Sequence, residues 1–143
     1  MTPLVSILIP AYNAGAWITP TLEAALAQTH PRVEIIVIDD GSTDNTRRLA
    51  GDFRLRGVRV VAQPNRGAAA ARNTALGLAT GDYIQFLDAD DLLDPGKISN
   101  QLALLAAASP GKVASCAWAR FSTSPSEEVF RPEPTWRDLS GFD

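Results

Sequence analysis

Three observations predict an α/β fold with a mainly parallel central sheet flanked by helices. Short, β-branched, mostly apolar runs recur along the chain, stretches with helical patterning separate them, and unusual polar groups follow directly on the runs. Strand alternating with helix is the order that builds parallel pairs, because a parallel neighbour is reached only by a crossover connection.

The runs are Val5-Ser6-Ile7-Leu8-Ile9, Val33-Glu34-Ile35-Ile36-Val37-Ile38, Val58-Arg59-Val60-Val61-Ala62 and Tyr83-Ile84-Gln85-Phe86-Leu87. Near-continuous hydrophobicity of this kind is expected of strands covered on both faces. Between them, Trp17 to Gln28 puts Ile18, Leu22, Ala25 and Leu26 on one face of a helix, Asp44 to Phe53 forms a second, and the alanine-rich Ala68 to Ala79 a third. Ser42 or Thr43 is placed to cap the second helix, Gly81 to end the third, and Asp94-Pro95 to open a fourth that runs to about Ala108. Val113 to Phe121 reads as a further strand. Residues 122–143 then turn rich in proline, serine and acid, although Trp136, Leu139 and Phe142 keep the three-residue spacing of a helix face. The expected organisation is a domain over residues 1–121 followed by residues 122–143 as either the start of a further region cut at a boundary or an irregular tail.

At 143 residues the chain has the size of one domain with one core. Hydrophobic residues at 45%, charged residues at 20% and a net charge of -3 describe a globular protein with no general attraction for nucleic acid or anionic lipid. Cys116, the single cysteine, lies in an apolar run and is expected to be a buried structural thiol, which suits a reducing, cytoplasmic setting. No segment reaches the roughly 20 apolar residues of a membrane helix, and no signal peptide is recognisable, so any membrane attachment at the inner face would come from segments outside this chain.

In a sheet of this class ligands sit beyond the carboxyl ends of the strands, and four such ends carry polar groups: Pro10-Ala11-Tyr12-Asn13, Asp39-Asp40-Gly41-Ser42, Gln63-Pro64-Asn65-Arg66-Gly67 and Asp88-Ala89-Asp90-Asp91. If the chain stays extended, Asp88 and Asp90 point the same way and can share one hard divalent cation, while Asp91 points elsewhere. A lone Asp-x-Asp serves equally well as a strand terminator. Tyr12 divides between packing at the sheet edge and stacking on a planar ligand. Asp39-Asp40 divides between a turn-and-cap role and a carboxylate that accepts from a base or sugar. Arg72 is either an ordinary salt-bridged surface residue or part of a site, and His30, before Pro31, reads as a turn residue.

Taken together and in order, Val5 through Asn13, Ala27-Gln28-Thr29, Ile36 through Asp44, Asn65-Arg66-Gly67 through Ala71-Arg72-Asn73, and Gly81-Asp82-Tyr83-Ile84 through Asp91 resemble the N-terminal part of a family 2 glycosyltransferase. The resemblance covers about Val5 to Phe121. It implies the GT-A, Rossmann-like, nucleotide-diphospho-sugar transferase fold and a nucleotide-sugar donor, usually a UDP-sugar, bound with Mn²⁺ or Mg²⁺. It further implies that Pro10, Ala11 and Tyr12 border the base, that Asp40 bonds the uracil, that Asp88 with Ala89 faces the ribose and diphosphate, that Asp90 with Asp88 ligates the metal, and that Gly67 and Arg72 belong to the donor site. Such enzymes also carry an acceptor-binding half with an Asp or Glu general base. The late carboxylates Glu127, Glu128, Glu133, Asp138 and Asp143 lack that context, so the general base is expected beyond Asp143, and this chain is expected to bind donor and metal and to transfer sugar poorly, if at all, to its sugar, lipid or polysaccharide acceptor.

Two other enzyme classes fit less well. A dinucleotide-dependent oxidoreductase needs G-x-G-x-x-G after the first strand, where only Gly15 occurs. A haloacid-dehalogenase-type phosphatase places its nucleophile there, where this chain has Pro10-Ala11-Tyr12. A non-catalytic nucleotide-sugar-binding or interaction module is the serious alternative, and the parent reading frame distinguishes it from a truncated transferase.

Overall fold

A computed structural model describes residues 1–108, 111–114, 116 and 119. Four parallel strands, β1 (Val5–Ala11), β2 (Val33–Asp40), β3 (Val58–Gln63) and β4 (Tyr83–Phe86), form one sheet in the order β3-β2-β1-β4. Helices α1 (Ile18–Leu26), α2 (Thr46–Gly51) and α3 (Ala68–Leu78) fill the crossovers, a 3₁₀ turn covers Arg54–Arg56, and α4 (Lys97–Ala106) follows β4. The chain divides into two compact units, Met1–Asn100 and Gln101–Asp143. In the second, Gln101 Nε2 donates to the Ala114 carbonyl at 3.4 Å. Among the described residues no helix is long and apolar enough to cross a membrane.

Strand periodicity sorts the core of the first unit into two layers. Leu8, Ile36 and Ile38 point to one face and pack with Ala71 and Ala75 of α3, whose small side chains let the helix lie close to the sheet. Ile7, Ile9, Ile35 and Val37 occupy the alternate positions and are equally buried, as are Ile18, Leu22 and Ala25 of α1. Each fully buried aliphatic side chain contributes about 1.5–3 kcal/mol, so β1 and β2, buried along nearly their whole length, form the sheet's rigid centre.

Several expectations need correction. β4 stops at Phe86 and is the sheet's edge among the described residues, so Tyr83, Ile84 and Phe86 are exposed rather than covered on both faces. Asp39 and Asp40 end β2 instead of forming a turn, and both are buried. Ser42 and Thr43 do not cap α2, whose N-cap is Asn45, because their hydroxyls bond Asn13. Gly81 does not end α3, which stops at Leu78 two residues before Thr80 takes up bonds to Glu34. Asp94 closes a local turn onto Gly96 N at 2.8 Å, which delays α4 to Lys97. His30 keeps its expected place in the bend between α1 and β2, where it is buried with Nε2 donating to the Pro3 carbonyl at 2.8 Å. Cys116 is exposed. Of the expected strand over 113–121, residues 113, 114, 116 and 119 are in no strand and the others lie outside the described residues, as do Trp136, Leu139, Phe142 and the late carboxylates.

Candidate functional site

The carboxyl ends of β1, β2 and β4 and the start of α3 border one open cleft of about 480 Å³, a size suited to a nucleotide-sized ligand. Pro10, Ala11, Tyr12, Asp40, Gly67, Arg72, Asp88, Ala89 and Asp90 all line it. Residues separated by up to eighty positions in sequence meet there because every strand of a parallel sheet ends on the same side.

Pro10 sits in a central strand, a position usually closed to proline because the ring removes a ladder donor. Its place in the register explains the exception. Leu8 turns its carbonyl toward β4, where it accepts from Leu87 N at 3.0 Å, and Pro10 has the same parity. The β1–β4 pairing ends at Leu8↔Phe86, so the missing N–H of Pro10 faces a stretch with no ladder left to break. Beyond it Tyr12 leaves the strand, is 52% exposed and lines the cleft.

Asp40 organises the opposite wall. Its Oδ1 accepts from Gln63 Nε2 at 2.7 Å and from Arg66 N at 3.0 Å, and its Oδ2 accepts from Gly67 N at 2.8 Å. Burial alone would raise the Asp40 pKa, but these three donors and the nearby Arg66 charge outweigh it and hold the carboxyl below its usual range. The carboxylate thereby fixes the turn that starts α3. A carboxylate has about four acceptor positions, so one remains open on Oδ2. Asp39, on the other face of the strand, is buried with an Oδ1 that has no hydrogen-bond partner.

The segment after β4 is not extended. Asp91 N donates to the Asp88 carbonyl at 3.0 Å, closing a turn over Asp88 to Asp91, and the buried Thr21 hydroxyl donates to the Ala89 carbonyl at 2.9 Å. Strand alternation therefore does not bring Asp88 and Asp90 to one side. Both nevertheless line the cleft, and α1 anchors the turn that carries them. Asp88 Oδ1 accepts from Arg72 Nη2, an ion pair whose side chains are 51% and 37% exposed and which contributes about 0–1 kcal/mol. Burial, followed by the charges of Asp90 and Asp88, raises the pKa of Asp91.

No cluster of three or more His, Cys, Asp or Glu able to hold a metal occurs among the described residues. Two cleft-lining carboxylates suffice for a hard cation that takes its other ligands from substrate phosphates and water, so Asp88 and Asp90 fit that use. Trp17 and Asn65 also line the cleft. Trp17 reads as an ordinary helix start, and the one sequence sign against that is its position off the Ile18, Leu22, Ala25 face.

Residues 6–139 match the family described as Glycosyl transferase family 2. Among curated relatives, WfaP of Escherichia coli, a UDP-Glc:alpha-D-GlcNAc-diphosphoundecaprenol beta-1,3-glucosyltransferase, is 47% identical over 102 residues, covering 69% of this chain and 40% of its own. The glycosyltransferase GlyG of Streptococcus pneumoniae is 40% identical over 101 residues, covering 68% of this chain and 34% of its own. The chain thus spans about two fifths or less of the length of these relatives. Among solved structures, residues 1-349 of S. aureus TarS in complex with UDP-GlcNAc superpose with a TM-score of 0.70 at 25% identity, covering 80% of this chain and 37% of that one. The mannosyltransferase PcManGT from Pyrobaculum calidifontis, in complex with GDP-Man and Mn2+, superposes with a TM-score of 0.67 at 34% identity, covering 77% and 34%.

Proposed function

The chain belongs to glycosyltransferase family 2, and from that premise we propose that it is the donor-binding part of an enzyme that moves a sugar from a UDP-sugar to an acceptor hydroxyl with the help of Mn²⁺ or Mg²⁺. Its parallel sheet and flanking helices have the GT-A architecture. The observation that carries the proposal is the convergence of aromatic, acidic and basic groups from three strand ends and α3 on one cleft.

Tyr12 offers an exposed ring on which a planar base can stack. Asp40, already bound to the turn at residues 63–67, has one acceptor position left for the N3–H of uracil. Asp88 and Asp90 would hold the cation, and Arg72, paired to Asp88, adds a positive charge where the diphosphate lies. A cation bound there supplies Lewis-acid stabilisation of the charge that grows on the departing diphosphate. The three carboxylates that line the cleft among the described residues serve donor and metal in this reading, and an Asp or Glu within reach of the acceptor hydroxyl would take its proton. The acceptor is a sugar, lipid or polysaccharide hydroxyl.

Calorimetric titration of UDP, with GDP as comparator, with and without Mn²⁺ and on Asp90→Ala, tests this reading. The expected result is metal-dependent UDP binding that the substitution abolishes. No UDP binding in either metal condition overturns it, and a preference for GDP overturns the choice of uridine alone.

A further inference from the structure

The loop that carries Tyr12 is tied to a neighbouring loop by bonds that the donor-binding role does not itself require. Three successive backbone N–H groups after Tyr12 donate to side chains of residues 42–46: Asn13 N to Ser42 Oγ at 3.0 Å, Ala14 N to Thr46 Oγ1 at 2.7 Å and Gly15 N to Asp44 Oδ2 at 3.0 Å. In return the Asn13 side chain accepts from Thr43 N at 2.9 Å and from the Thr43 hydroxyl at 3.3 Å. Asp44 Oδ1 accepts from Thr46 N at 2.9 Å and from its hydroxyl at 2.5 Å, which orients that hydroxyl's lone pair toward Ala14.

Two backbone features show that the two loops fit closely. Asn13 has φ +48°, in the left-handed region that non-glycine residues seldom occupy and that asparagine tolerates best. A Cβ on Gly15 would lie 1.9 Å from Asn45 Oδ1 and 2.8 Å from Asp44 Oδ2, so a larger residue there would push aside the side chains of the neighbouring loop, Asp44 among them. Upstream, Ala11 is the last residue held by the β1–β2 ladder, opposite Asp39. Tyr12 is therefore the single residue between two fixed points, a sheet ladder on one side and a latched left-handed residue on the other.

We propose that Asn13 is a positioning residue for the donor site: by bonding Thr43 with its side chain while holding a left-handed backbone, it fixes the direction in which Tyr12 projects into the cleft. The inference rests on the donor-site reading above. Its physical content is preorganisation, since a ring held in place before binding loses less conformational freedom on meeting a planar ligand.

The variants separate side-chain bonding from backbone shape. Asn13→Gly keeps the left-handed conformation and removes the acceptor, whereas Asn13→Asp keeps both. UDP titrations in Mn²⁺ are expected to show affinity about tenfold weaker for Asn13→Gly and within about twofold of wild type for Asn13→Asp. In a Tyr12→Ala background, Asn13→Gly is expected to cost less than about twofold, because a residue that acts through Tyr12 has nothing left to position. A merely structural role would give the same loss in both backgrounds, and that result, or wild-type affinity in a folded Asn13→Gly protein, overturns the inference. If Asn13→Gly does not fold, Ser42→Ala, which removes the acceptor of Asn13 N–H, is read in the same cycle. If wild type binds no UDP, the donor reading falls and takes this inference with it, whereas wild-type binding that is indifferent to Asn13 overturns the inference alone.

Discussion

Replacing Asp40 by asparagine separates two roles for one carboxylate. In the protein, three donors converge on it at 2.7, 3.0 and 2.8 Å. An asparagine that keeps its oxygen toward Gln63 and Arg66 turns its NH₂ on Gly67 N, donor against donor. The flipped amide lets Gln63 flip in turn but opposes Arg66 N instead. Either way one backbone N–H loses its acceptor altogether and the remaining donors meet a neutral oxygen, and a bond to a charged group is worth about 1.5–3 kcal/mol. Arg66 and Gly67 are exposed, so water compensates part of the loss, and the expected cost is near the lower end, about 2 kcal/mol. Urea denaturation should show a lower midpoint with an unchanged slope, since the surface exposed on unfolding does not change. The same variant should bind UDP more weakly, because the turn it loosens starts α3 and places Arg72. A variant within about 0.5 kcal/mol of wild-type stability refutes the reasoning, since that is the range of a surface change away from any structural feature. Weaker UDP binding with unchanged stability would assign Asp40 to the base alone.

Gly81→Ala probes the opposite end of the sheet: its Cβ would lie 2.5 Å from Ser6 Oγ, 2.7 Å from Ser6 N and 3.0 Å from the Leu4 carbonyl. Two of those atoms are backbone at the start of the central strand and cannot swing away, so a loss of about 1–3 kcal/mol is expected in urea denaturation, with UDP affinity unchanged. The pH dependence of stability follows from Glu34 and Asp40. Burial raises both pKa values, but donors outweigh it: Ser6, Thr80 and Gly81 at Glu34, and Gln63, Arg66 and Gly67 at Asp40. Both folded-state values are therefore depressed. Their contribution is present above the unfolded values near pH 4 and is lost as pH falls through the folded ones, so urea midpoints should fall below about pH 4, an effect that the single raised carboxyl among the described residues, Asp91, opposes without cancelling. A midpoint unchanged from pH 5 to 3 would contradict this.

The sheet was legible because its signal is local. Apolar β-branched runs announce β1, β2 and β3, and helical spacing announces α1 and α3, since burial on a known period needs no knowledge of the partner. Boundaries were less legible where side chains had two uses. Ser42 and Thr43 have the chemistry of helix caps, yet Asn13, some thirty residues away, claims both. Ala11 and Asp39 extended their strands because each pairs with the other across the sheet.

By itself, the sequence determined the fold class and the family. The nine residues proposed for the donor site, eight at strand ends and Arg72 on α3, all border one cleft, since parallel topology sends every carboxyl end to the same side. Tertiary structure alone decided what each of them touches. It made Asp40 the clamp of the turn that starts α3, gave Arg72 to Asp88, carried Asp88 and Asp90 to the cleft on a turn anchored by Thr21 instead of on an extended strand, and left β4 exposed at the sheet's edge among the described residues. The reason is physical: periodicity and composition specify which face a residue presents, whereas a hydrogen bond depends on atoms brought together only after strands and helices have packed.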